Sequence, residues 1–122
     1  MKIFKTINGS TIDVVEHTLS VLSNYPLTEI YIGTDSQNMR KKTVYCTVIA
    51  FRYSTRGVHY IFNKDVVDEV KNTFLRLWGE TDRSLEVAQW FTSQINVPVT
   101  IDMDFNEDEY YQSNKLIASS SG

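Results

Sequence analysis

The sequence predicts a mixed α/β domain: a sheet of three antiparallel strands and one parallel strand, flanked by helices. Three observations carry that prediction. Three segments rich in β-branched and aromatic residues follow one another with short turns between them, a long segment of helical periodicity comes next, and a fourth strand-like segment closes the series. Strands joined by tight turns pair antiparallel, whereas a strand reached through a helix can return parallel to an earlier one. The chain has 122 residues, 42% of them hydrophobic, which suits one domain with one core. No repeat, low-complexity tract or Pro/Gly-rich linker divides it, so residues 1–122 are read as a single domain.

The first element is helical. Ile12, Val15, Leu19 and Leu22 recur at helical spacing, and Ser10 or Thr11 can serve as N-cap, so a helix is predicted over about 11–23, ended by Asn24-Tyr25-Pro26. Residues 29–35 then read as a short strand that runs into a polar loop, Ser36 to Lys42. Thr43 to Tyr53 is the longest strand signal. It carries Tyr45, Ile49 and Phe51 on one face and Val44, Cys46, Val48 and Ala50 on the other, the pattern of a strand inside a covered sheet. Residues 54–57 are a turn, and Val58 to Phe62 a third strand.

Helical spacing returns with Val70, Phe74, Leu77, Trp78, Ser84, Val87, Ala88, Phe91 and Ile95 on one broad stripe. Gly79 interrupts it, which allows one kinked helix or two consecutive ones. Residues 97–104 form the fourth strand, and an acidic, helix-compatible tail begins at Asn106. The predicted order is α-β-β-β-α-β-α.

Composition narrows the function. The longest apolar runs are a few residues, far below the roughly 20 that a membrane-spanning helix needs, and the N-terminus lacks the apolar stretch of a secretory signal. The one cysteine, Cys46, cannot form an intrachain disulfide, which points to a reducing, cytoplasmic setting. A net charge of −3 excludes a protein that coats nucleic acid through bulk basic charge. It leaves open an enzyme whose carboxylates hold cations and reach phosphates through them.

The acids are placed for that. Asp35 ends the first predicted strand, and Asp102 and Asp104 end the fourth. Positions two apart on a strand share a face, so Asp102 and Asp104 bring two negative charges together. Glu80 falls within about 60° of the centre of the helical apolar stripe, where a lone carboxylate is costly to bury. If that helix packs on the sheet where the strand carboxylates lie, four acids meet, and an all-oxygen donor set suits Mg²⁺ or Mn²⁺. Strand-end aspartates also serve as plain turn formers, so spacing alone leaves a structural role open for Asp35. Arg40, Lys41 and Lys42 form the most basic run, beside Asp35, as phosphate contacts or as a solvated hairpin tip. His17, His59, Cys46, Trp78 and Trp90 are read as structural.

Gly33-Thr34-Asp35-Ser36-Gln37 resembles the Gly-Thr-Asp-Ser-Gln motif of the YkuK-like family, predicted nucleases of the ribonuclease H-like superfamily. Glu80-Thr81 with Ser84 to Ala88, and Ile101 to Asp104 leading to Ser113-Asn114, fit more loosely. The resemblance implies three antiparallel strands, a helix and a parallel fourth strand, with carboxylates on the first strand, the crossover helix and the fourth strand. These fall on Asp35, Glu80 and either Asp102 or Asp104. It further implies phosphodiester hydrolysis assisted by two divalent ions, Mg²⁺ or Mn²⁺, with Asp35, Glu80, Asp102 and Asp104 as catalytic metal ligands and nucleic acid as partner. Ser36 and Gln37, next to the motif's aspartate, would touch sugar or phosphate, and Arg40 and Lys41 would hold the backbone. Superfamily nucleases usually add a later strand and helix bearing a fourth acid, and no counterpart of these is expected within residues 106–122. Only Glu107, Asp108 or Glu109 could substitute. Two other readings stand beside the nuclease: an inactive module that binds nucleic acid or protein, and, third, a phosphotransfer protein. A homodimer could cover an open sheet edge.

Overall fold

A computed structural model describes residues 2–102. The elements in chain order are strands β1 (Phe4–Lys5) and β2 (Thr11–Ile12), helix α1 (Val14–Asn24), strands β3 (Glu29–Met39), β4 (Lys42–Arg52) and β5 (Val58–Asp68), helix α2 (Thr73–Gln94) and strand β6 (Thr100–Asp102). They build one sheet of order β2-β1-β5-β4-β3-β6. The expected antiparallel meander β3-β4-β5 is present, and β6 lies parallel to β3 with Ile32 opposite Ile101. Asp104, the acidic run 107–109 and the Ser113-Asn114 block lie outside the described residues.

Several boundaries differ from expectation, each for an identifiable reason. The first helix starts later because Thr11 and Ile12 pair with β1, and Asp13 takes the N-cap, its Oδ1 accepting from the Glu16 amide at 3.0 Å. Its buried positions are then Val14 and Thr18, while Leu19 is exposed. The polar segment after Asp35 is strand, not loop: β3 continues to Met39 and turns into β4 through Arg40 and Lys41 alone. Both have positive φ, 50° and 66°, the conformation of a tight two-residue hairpin turn, for which glycine or asparagine is the usual choice. β5 extends to Asp68 to match β4 along its whole length, and β6 begins only at Thr100.

Helix α2 is continuous through Gly79. A Cβ there would collide with the Tyr45 phenol, coming within 2.8 Å of its Cζ, so the glycine serves the close approach of helix to sheet. Asn72 caps the helix, accepting from the Leu75 amide at 3.0 Å.

Both helices sit on the sheet face defined by Ile30, Ile32, Thr34, Ser36 and Asn38 of β3, which the register aligns with alternate residues of β4 and β5. Apolar rungs lie at one end: Ile30–Phe51–His59 and Ile32–Ile49–Ile61. Val14 of α1 and Val87, Ala88, Phe91 and Ile95 complete this core. Polar rungs follow: Thr34–Thr47–Asn63 and Ser36–Tyr45–Asp65. The opposite face, expected to be covered, carries no helix among the described residues, and Val44, Cys46 and Ala50 there are half-buried.

Candidate carboxylate site

The N-terminal half of α2 reverses the usual amphipathic order. Phe74, Leu77 and Trp78, expected in the core, are 73%, 50% and 62% exposed, whereas Arg76, Glu80 and Arg83 face the sheet. The register of the buried C-terminal half dictates this. Stepping back from Phe91 through Ala88 and Ser84 at helical spacing leads to Glu80 and Arg76, not to Phe74 and Trp78.

These inward polar groups are hydrogen-bonded to the sheet. Ser84 shares a hydrogen bond of 2.8 Å with Thr34, whose hydroxyl donates to that of Thr47 at 3.2 Å, and all three residues are buried. Arg83 grips Asp65 Oδ2 through Nε at 3.1 Å and Nη2 at 2.8 Å and lies 3.7 Å above the Tyr45 ring, a cation–π contact in a half-buried setting. Ser36 donates its hydroxyl to Glu80 Oε2, and Arg76 Nη1 donates to the Ser36 carbonyl at 3.1 Å. Arg76, Arg83, Asp65 and Thr47 were not signalled by motif, whereas Thr34 and Ser84 lie within the matched blocks. The backward extrapolation of the buried stripe is the signal that finds the two arginines.

Glu80 is the perturbed group. Burial raises its pKa above the ordinary carboxyl value, and the charge of Asp35 raises it further. The Ser36 hydroxyl and the Arg76 guanidinium oppose both effects. Asp35 lies in the middle of β3, paired with Cys46, rather than at a strand end. Strand alternation sets it on the face opposite Ser36, beside the sheet position of Asp102, whose register partner is Gly33. Asp35 and Asp102 are both half-buried. Among the described residues, no three His, Cys, Asp or Glu side chains form a group that could hold a metal ion. Asp35 and Glu80 are thus electrostatic neighbours reached from two faces of β3, and Asp102 shares the face of Asp35.

The basic candidates lie further along the same strand. Gln37 is exposed, and Arg40 and Lys41 form the exposed hairpin tip. Lys42 is taken by Asp68, its Nζ 2.8 Å from Oδ1, which leaves Arg40 and Lys41 as the tip's outward cations.

A meander with a parallel strand added at its edge through a crossover helix, and helices packed on one sheet face, defines a mixed α/β architecture. The family model described as "Ribonuclease H-like" matches residues 13–121, and the chain belongs to that family of nuclease-like and nucleic-acid-binding modules. Neither the curated proteins nor the solved structures contain a match to the chain. No helix among the described residues is long and apolar enough to cross a membrane.

Proposed function

We propose that this chain is a divalent-cation-dependent nuclease that hydrolyses phosphodiester bonds of nucleic acid. The single observation behind this reading is Glu80: a carboxylate turned toward the sheet from a crossover helix, resisting ionisation because it is buried and lies within the field of the Asp35 charge. A cation held near both carboxylates would relieve both penalties, and oxygen donors suit Mg²⁺ or Mn²⁺. Asp35 and Glu80 are the ligands we assign, with Asp102 and, beyond the described residues, Asp104 completing the set. When bound, such ions polarise a phosphoryl oxygen and acidify a water. Ser36 fixes the Glu80 carboxylate by its hydroxyl, and Arg76, anchored on the Ser36 carbonyl, holds positive charge beside it. Gln37, Arg40 and Lys41 are assigned to sugar and phosphate contacts, which position a strand without reading its sequence.

One observation favours a second reading, a binding module without catalysis: no group of three potential ligands is assembled among the described residues. A labelled single strand, duplex and hybrid, each incubated with Mn²⁺, separate the two. The nuclease reading expects cleavage of at least one substrate and a loss of 100-fold or more in Asp35→Asn. It also expects Mn²⁺ to raise the melting temperature of the wild-type chain only. Equal product from both proteins, or none from either, leaves the binding module.

A further inference from the structure

The carboxylate end makes no use of the histidines, yet the fold brings them together. His17 on α1 and His59 on β5 stand with their Nε2 atoms 2.7 Å apart and ring centroids at 4.7 Å, both half-buried. Phe51, the register partner of His59, supports both rings, its centroid 5.4 Å from His17 and 6.1 Å from His59. From the Nε2 geometry we infer that His17 and His59 form a two-imidazole binding site for a late first-row divalent transition-metal ion, with Cu²⁺ bound most tightly.

Two ring nitrogens this close share either a proton or a cation. Metal–nitrogen bonds of about 2.0–2.1 Å at a right angle place two nitrogens about 2.9 Å apart. The observed 2.7 Å therefore needs only a slight opening, which half-exposed rings can make without unfolding either element. A tetrahedral ion would demand about 3.3 Å, a larger displacement. Right-angle nitrogen ligation is the preference of square-planar and tetragonal Cu²⁺ and Ni²⁺, and Cu²⁺ heads the affinity order of first-row divalent ions. Partial exposure admits water to the remaining positions. Mg²⁺ and Mn²⁺, which prefer oxygen, have no reason to choose this pair.

The site is separate from the carboxylates. The Phe51 rung aligns with Ile30 and the Tyr45 rung with Ser36, an interval of six residues along β3, or about 20 Å. Each site can therefore be titrated without the other.

The test uses the whole chain with Cu²⁺ alone, by calorimetry and by electron paramagnetic resonance. The expected result is one Cu²⁺ per chain with a signal split by two nitrogen ligands. His17→Gln and His59→Gln should each weaken binding at least tenfold and remove one nitrogen, while Glu80→Gln leaves the affinity unchanged. Unchanged affinity in the folded histidine variants, or no uptake at all, overturns the assignment. If a histidine variant fails to fold, the wild-type spectrum decides: two nitrogen ligands uphold the site, and fewer overturn it.

Discussion

The two ends of the helix-covered sheet face are built from opposite materials, although one strand and one helix run through both. At the Ile32–Ile49–Ile61 end, α2 offers Val87, Ala88, Phe91 and Ile95, and the contact is dry packing. At the Ser36–Tyr45–Asp65 end, the same helix offers Arg76, Glu80 and Arg83, which meet the sheet through hydrogen bonds, an ion pair and a cation–π contact. The first end needs only volume and can tolerate imprecise geometry. The second must satisfy each polar group, because a buried unpaired one is expensive.

The largest expected difference between the ends is in stability. Phe91 is fully buried in the dry core, so Phe91→Ala should cost about 3–5 kcal/mol in chemical denaturation. It should leave the Mn²⁺-induced shift of the remaining folded protein intact. A variant that loses the Mn²⁺ response in proportion to stability would mean the two ends are one cooperative site.

A smaller effect separates them by pH. The folded-state pKa of Glu80 is raised, so the folded chain holds a proton that the unfolded chain has released. Stability then falls as pH rises from the unfolded carboxyl value, near 4.5, through the raised one. In chelator, Glu80→Gln should melt higher than the wild type at pH 7, and the gap should close toward pH 4. The His17 end carries the opposite sign. Burial lowers the His17 pKa and the charge of His59 lowers it further, so stability falls as pH drops below 6.5. A Glu80→Gln advantage that is independent of pH would remove electrostatics from the account of the polar end.

The smallest expected change lies at the β3–β4 tip. Two non-glycine residues in the left-handed region each carry strain, so replacing Arg40-Lys41 by Asn-Gly should raise stability by about 1–2 kcal/mol. If the tip holds phosphates, the same change should weaken nucleic-acid binding on all sequences alike and reduce its salt dependence. Stabilisation with unaltered binding would make the tip a solvated turn.

Much of the fold was legible locally. The β-branched runs and turns of β3, β4 and β5 announce a meander, and the parallel return of β6 follows from the helix between. The inward direction of Glu80 was legible because helical periodicity is a property of the helix itself. Three things were not. Two-residue strands such as β1 and β2 contain no period to read. Ser36, Gln37 and Asn38 look like loop residues, yet Ser36 is buried beneath α2 and Asn38 donates to the Val70 carbonyl at 3.3 Å. Phe74, Leu77 and Trp78 look like core, yet the helix rotates them outward because its longer apolar half sets the orientation.

By itself the sequence determined the order from the first helix through the meander and the crossover helix to the returning strand, and the helix face on which Glu80 falls, since each depends on residues within one or two turns of one another. Only the tertiary structure decided that Ser36 meets Glu80 and that His17 meets His59. Those pairs lie 44 and 42 residues apart, and their meeting requires the register of three strands and the placement of two helices at once. No local pattern encodes such a register, because a one-residue slip would leave every period unchanged while exchanging the two faces of the sheet.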